Sequence, residues 1–439
     1  MLLRLLKGRV ALQLLLLAVA VLVVVHGLTG PQLAPRNMAT VFTWVHYRGL
    51  LVVALLAAGN FFCTACPMIL VRDAGRRVWH PALRWPRRLR GKWLSLVLLV
   101  GVLFAYELFD LWQLPAATAW LIVGYFAAAA VVDVLFSGAT FCKHLCPVGQ
   151  FNFAASVMSP LELQARDLGT CGACATKDCI RGRPQHLELH KRPERPERFT
   201  GLRGCELALF MPHKVGNLDC TMCGDCVRAC PHDNIGLVAR IPGAELLDPR
   251  RRSGIGRLAQ RRDIAALFVV FTIAGLLNAA AMTAPAVALS AWTLTLLFAA
   301  AVILPLPLLL RRGAIGYAYA LAPLGFGIWL AHYLFHFLTG ALTVVPVTQA
   351  AAIDLLGFAA LGEPLWRLVG MPPESVFPIQ LGFVLLGTFG SLALVHGTSL
   401  RDSPARPWPA SAPYLLVVAA LAAATLWTLA QPMAMRGVR

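Results

Sequence analysis

Long apolar runs separated by short polar loops dominate the chain. Runs of about the 17–25 residues that a helix needs to cross a bilayer fall at about 10–28, 49–70, 93–113, 118–136, 264–282, 287–310, 314–338, 377–396 and 412–430. They predict about nine transmembrane helices. Arg4, Lys7 and Arg9 precede the first run, as in a signal peptide. It is read instead as a retained anchor, because the stretch exceeds the usual 7–15 residues and no A-x-A site follows. The pattern breaks at residues 137–263, which divides the chain into a membrane part of four helices (1–136), a soluble insertion (137–263) and a membrane part of five helices (264–439).

Composition supports this reading. Of 439 residues 58% are hydrophobic and only 14% charged, against about 25% charged in ordinary soluble domains. The net charge of +18 lies in loops between apolar runs. That is the positive-inside pattern of a membrane protein, and it argues against a nucleic-acid partner. The loop 71–92 carries Arg72, Arg76, Arg77, Arg84, Arg87, Arg88, Arg90 and Lys92 against one acid, Asp73, so it is expected on the cytoplasmic side. Alternation then puts the N-terminus and the 137–263 insertion inside, as in a bacterial inner membrane. Residues 181–203 read as a solvated insertion. The basic run Arg250–Arg252 to Arg261–Arg262 reads as a surface anchor. Val347 to Leu361 is expected to lie flat on the outer surface.

All twelve cysteines lie between Cys63 and Cys230. A reducing compartment would leave them free for metals. Cys220-x2-Cys223-x2-Cys226-x3-Cys230-Pro231 has the spacing of a bacterial 4Fe–4S loop, whose fourth cysteine serves a neighbouring cluster. Cys171, Cys174, Cys179 and Cys205 supply a second, less regular set. The paired-cluster pattern assigns Cys205, Cys220, Cys223 and Cys226 to one 4Fe–4S cluster and Cys171, Cys174, Cys179 and Cys230 to the other. A structural zinc is the alternative for the upstream set. The fold class expected is thus a polytopic α-helical membrane protein with an inserted small α+β bacterial-ferredoxin-like two-cluster domain.

Four cysteines remain, in Cys63-x2-Cys66-Pro67 and Cys142-x3-Cys146-Pro147. Each pair is expected where a helix leaves the membrane on the same side. Together they offer a third cluster, another metal site or a redox disulfide. The plain alternative is that proline ends each helix and the cysteines are small fillers. The runs FFCTACPMIL and TFCKHLCPVGQFN resemble the twin cysteine–proline motifs of the NapH/NosR-like membrane polyferredoxins, associated with periplasmic nitrate and nitrous-oxide reductases. The resemblance covers about residues 49–240. It implies an electron-transfer or quinol-dehydrogenase role in a respiratory pathway. Cys142, Cys146 and Pro147 match the family's C-x3-C-P; the first motif is one residue shorter, and the five helices after residue 263 extend beyond the resemblance.

Ionisable groups in hydrocarbon are costly and call for a role. His332 and His336 share a helix face, and His26 is expected at similar depth. His26 with either one is the depth-matched pairing for haem b. Interhelical hydrogen bonds and quinone contacts are the alternatives. Glu107, Asp110 and Asp133 read as proton acceptors or interfacial residues. No C-x-x-C-H and no strand-borne GxGxxG occurs, so neither c-type haem nor hydride chemistry is indicated. The leading function is membrane-bound transfer of single electrons, between a quinone or membrane partner and a protein redox partner. A maturation factor that donates electrons for metal or cofactor insertion is the second reading, and a redox sensor the third.

Overall fold

The computed structural model describes residues 8–79, 81, 83–183, 201–248, 252–253, 256–257, 261–283, 291–311 and 313–432. Its longer helices are α1 (Arg9–Thr29), α2 (Met38–Ala58), α3 (Met68–Val78), α4 (Trp93–Leu108), α5 (Pro115–Leu135) and α6 (Pro147–Ser156). After the cysteine-rich segment come α7 (Arg262–Ala281), α8 (Ala291–Ile303), α9 (Ile315–Thr339), α10 (Val344–Leu356), α11 (Pro373–Asp402) and α12 (Pro407–Leu429).

Among the described residues seven helices, α1, α2, α5, α7, α9, α11 and α12, are long and apolar enough to cross a membrane. The expectation of nine is corrected in two places. The run at 93–113 forms the 16-residue α4 and ends before Asp110, which adopts a positive φ of 46°. In the run at 287–310 the described residues begin at 291, and α8 covers 13 of them before it stops ahead of Pro305 and the residue that proline restricts. A third correction concerns position. The helix expected at 49–70 starts at Met38, where the Asn37 side chain accepts the Ala39 N–H at 2.9 Å as an N-cap. It ends at Ala58, where Gly59 turns the chain at φ 68°. Val41–Tyr47 wind as a π-helix within it.

Helices α7 and α9 form the centre. Every residue from Asp263 to Gly275 and from Ala322 to Phe335 is buried. By contrast α1, α5, α11 and α12 keep many apolar side chains exposed, the surface that lipid would cover. Close packing of α9 on α11 depends on glycine. A Cβ at Gly387 would lie 2.6 Å from the Pro323 carbonyl oxygen, and one at Gly327 would lie 2.5 Å from that of Phe383. Small residues let helix backbones meet in this way. Buried polar side chains find backbone partners, as Trp329 Nε1 donates to Phe271 O at 2.8 Å and Thr272 Oγ1 to Leu321 O at 3.1 Å.

Between the two helical parts, β1 (Leu161–Ala165) pairs antiparallel with β2 (Ile235–Ala239), with Leu163 opposite Leu237. This two-stranded sheet closes the loops that carry the last eight cysteines. A second short ladder pairs Arg252–Ser253 with Gly256–Arg257. Helix α6, just ahead of β1, is buried along its length except at Val148 and packs against α2, α4 and α7. The stretch expected to lie flat begins within α10, which packs on α1 and α2. Most of the 181–203 insertion (184–200) and much of the basic run at 250–262 lie outside the described residues.

Candidate functional site

The first cysteine pair follows the Gly59 turn. Cys63 sits in the short helix Phe61–Thr64, and Cys66 precedes Pro67 and α3. The second pair brackets the turn before α6. Cys142 lies in the short helix Thr140–His144. Cys146 caps α6, its Sγ accepting the Gly149 N–H at 3.0 Å, with Pro147 at the first helical position. Tyr125 places its hydroxyl 2.9 Å from Cys146 Sγ, and Asn152 Nδ2 donates to Cys63 Sγ at 3.4 Å. The four thiols interact electrostatically with one another. Capping and convergence therefore coexist at this turn.

The Cys220 loop winds tightly because Asp219, Met222 and Gly224 take positive φ values of 63°, 52° and 72°. Cys205, Cys220, Cys223 and Cys226 interact electrostatically as a group. Backbone N–H groups point at sulfur, Met222 N to Cys220 Sγ and Leu209 N to Cys205 Sγ, each at 3.4 Å. Cys171, Cys174, Cys179 and Cys230 line one small cleft. Asn234 ties two of them, donating from its backbone to Cys230 Sγ at 3.4 Å and from Nδ2 to Cys171 Sγ at 3.3 Å. A backbone bond from Cys205 N to Cys179 O, 2.8 Å, joins the two groups.

Burial pushes the Cys66 thiol up to about 12 and the Cys205 thiol up to about 11. Cys223 and Cys226 rise for the same reason. Such thiols are neutral until a cation binds, so metal uptake would release protons. Among the described residues no three His, Cys, Asp or Glu side chains are grouped to hold a single metal ion.

The three cysteine groups are bound into one unit. Asn60 Nδ2 donates to Cys220 O at 3.1 Å, and Thr64 Oγ1 to Thr221 O at 2.7 Å. From α1, Gln13 Nε2 donates to Thr64 O at 2.7 Å and Arg9 pairs with Asp225 at 3.1 Å. Arg72, buried beside the Cys66 and Cys142 thiols, bonds Glu206 at 2.5 Å next to Cys205. Lys92 and Asp219, both fully buried, pair at 2.5 Å behind the Cys220 loop. None of Asn60, Arg72, Lys92 or Asn234 was singled out for the site from the sequence. Each makes a contact far along the chain that its local context does not signal, Asn60 with Cys220, Arg72 with Glu206, Lys92 with Asp219 and Asn234 with Cys171. Asn152 does stand within the TFCKHLCPVGQFN run.

The membrane histidines separate. His26 is committed, with Nε2 3.2 Å from Asp354 Oδ2 in α10 and Nδ1 accepting the Met38 N–H at 3.1 Å. Among the described residues no hydrogen bond or ring contact joins it to His332 or His336. Those two lie edge to face with ring centroids 5.0 Å apart. Both nitrogens of His332 and Nε2 of His336 are buried without a hydrogen-bond partner. Arg48 is close to both and lies over the rings of Trp44, Tyr106 and Tyr333 at 5.0, 5.4 and 4.7 Å. Glu107 accepts from Asn278 at 3.1 Å, and Asp133 accepts the Phe141 N–H at 2.7 Å beside the Cys142 turn.

Helices of membrane-spanning length joined to a cysteine-rich turn region define the class, a helical membrane protein with a cysteine-rich segment. The chain is similar to the ferredoxin-type protein NapH of Escherichia coli (strain K12), 26% identical over 204 residues that make up 43% of this chain and 65% of that protein. The chain thus spans less than two thirds of that relative. This likeness points to membrane-associated electron transfer and iron–sulfur chemistry in general terms. No family model and no solved structure matches.

Proposed function

We propose that the protein carries electrons from a reduced quinone in a bacterial inner membrane, through 4Fe–4S clusters on the cytoplasmic side, to a protein redox partner. The observation that carries this reading is the junction at Asn60–Cys220 and Thr64–Thr221, which sets the cysteine turn at the end of α2 directly against the Cys220 loop.

The cysteine spacing, and the cleft shared by Cys171, Cys174, Cys179 and Cys230, support the cluster part of this reading. Cys205, Cys220, Cys223 and Cys226 would hold one, and Cys171, Cys174, Cys179 and Cys230 the other. Their sulfurs accept N–H bonds, as cluster thiolates do. Cys63, Cys66, Cys142 and Cys146 are the third candidate quartet, nearest the helices. Bound clusters supply single-electron exchange at potentials set by charge, sulfur hydrogen bonds and exposure. The chain's own residues shape that exchange. Asn234, Met222 and Leu209 stabilise negative charge on sulfur. Phe153, Lys92 and Asp219 back the Cys220 loop and exclude water there. Within the helices, His332 offers a free ring nitrogen to a quinol proton, and Arg48 offers positive charge to the head-group oxygen.

The test is anaerobic purification with iron, sulfide and zinc analysis, electron paramagnetic resonance, and reduction by a soluble naphthoquinol in proteoliposomes. About eight irons with matching sulfide, or about twelve with the third quartet filled, and reduction by the quinol are expected. Zinc without sulfide, or clusters that quinol does not reduce, would overturn the proposal.

A further inference from the structure

A cleft of about 730 Å³ opens beside the cysteine turns, between the 84–91 loop and the 137–144 segment. This is the size of a small-molecule site. Six of its lining residues, Arg84, Arg87, Arg88, Arg90, Lys143 and Arg261, are cationic, against one carboxylate, Glu206. Glu206 is already taken by Arg72 at 2.5 Å. Two of the cations are also committed, Arg261 to Asp263 at 2.6 Å and Lys143 Nζ to the Leu207 carbonyl at 2.9 Å. Arg84, Arg87 and Arg88 have no ion-pair partner among the described residues. Like charges gathered around a concavity repel one another and attract an anion from solution.

The floor supplies a second, independent observation. His144 is 5% exposed and lines the cleft, and its buried Nδ1 has no hydrogen-bond partner. The Trp85 indole stacks on its ring, centroids 5.9 Å apart and planes 5° apart, and Trp85 Nε1 is tied back to Leu89 O at 2.9 Å. The cleft therefore joins an aromatic wall and an unsatisfied ring nitrogen to a rim of free guanidinium groups. Arginine forks match the oxygens of phosphate, often two bonds at a time. A uniformly basic surface needs none of this relief.

We propose that this cleft binds a phosphate-bearing anion, either the head group of an anionic phospholipid or a soluble phosphate ester. Arg87 and Arg88 grip the phosphate at the rim, and His144 Nδ1 meets a polar atom of the ligand at the floor. This inference goes beyond the electron-transfer reading and stands without it, because the cleft contains no cysteine.

The full-length protein is compared with Arg87→Gln/Arg88→Gln and with a control that loses the same charge elsewhere, Arg77→Gln/Arg406→Gln. The soluble arm titrates inorganic pyrophosphate into protein in neutral detergent by calorimetry. The lipid arm counts phosphatidylglycerol retained by native mass spectrometry, after nanodiscs of phosphatidylcholine with and without phosphatidylglycerol. The wild type and the control bind in one arm or both, whereas Arg87→Gln/Arg88→Gln binds at least about tenfold more weakly. The arm that responds names the source. Equal weakening in the control, which would mean surface charge alone, or no binding in either arm, overturns the proposal. His144→Phe keeps the charge and the stacking surface, and it too should weaken binding; unchanged affinity would remove the floor contact from the proposal. Melting temperature monitors the fold of each variant.

Discussion

Asn60, fully buried just past the end of α2, donates through Nδ2 to the backbone carbonyl of Cys220, 160 residues further along the chain. The bond welds the Cys63–Cys66 turn to the Cys220 loop. Replacing Asn60 by Leu leaves that carbonyl without its donor in a buried setting, at a cost of about 1–3 kcal/mol. The expected outcome is a lower melting temperature and an altered paramagnetic signal from the Cys220 group, with the Cys171 group unchanged. Identical spectra and stability in Asn60→Leu would show that the junction is incidental.

Asn234 sends two N–H groups to the sulfurs of Cys230 and Cys171. Donors to sulfur favour the more negative, reduced state, so removing one lowers the potential. Asn234→Leu deletes the Nδ2 donor and keeps the backbone one. Potentiometric titration should find one centre shifted to more negative potential and the other unmoved. A shift in neither would detach Asn234 from the redox groups.

The Lys92–Asp219 pair is shielded from solvent on both sides. Lys92→Met strands a carboxylate in the interior and should cost about 3–5 kcal/mol. Lys92→Met/Asp219→Asn should recover much of that loss, because no lone charge is left behind. Thermal unfolding of the two single variants and the double variant gives the coupling. A simple sum of the single effects would mean that the two groups do not depend on each other.

Gly387 faces the backbone of α9 with no room for a side chain. Gly387→Val must push α11 outward, with a destabilisation of about 1–3 kcal/mol or more. Gly382, on the same helix with open space before it, serves as the control. Gly382→Ala should melt within a degree or two of the parent, and equal losses at both positions would contradict this packing.

Arg48 and His332 lie among aromatic rings in the helical core. If a quinol head group docks there, His332→Leu and Arg48→Met should slow quinol-dependent reduction at least about tenfold. Reduction by dithionite should be untouched. Loss of both activities together would point to a folding defect rather than a docking site.

The spacing on which the proposed clusters rest is visible in one dimension, since a 4Fe–4S loop draws most of its ligands from neighbouring positions. The Cys220–Cys230 run is such a local pattern. The span boundaries were harder. The run at 49–70 appeared to start after Arg48 because a charged residue interrupts apolarity. The chain buries Arg48 against Trp44, Tyr106 and Tyr333 and continues the helix back to Met38. It then breaks at Gly59, within a stretch whose hydropathy gives no warning.

The order of residues along the chain was enough to establish an apolar, multi-helix protein with a cysteine-rich insert, because burial preference and short ligand spacings are properties of adjacent residues. It could not say that Asn234 would meet Cys171 and Cys230, that His26 would meet Asp354, or that Arg84 to Arg90 would wall a cleft with His144 at its floor. Those outcomes depend on which distant segments fold against one another. Hydrogen bonds and charges act over a few ångströms in space, whatever the separation in sequence.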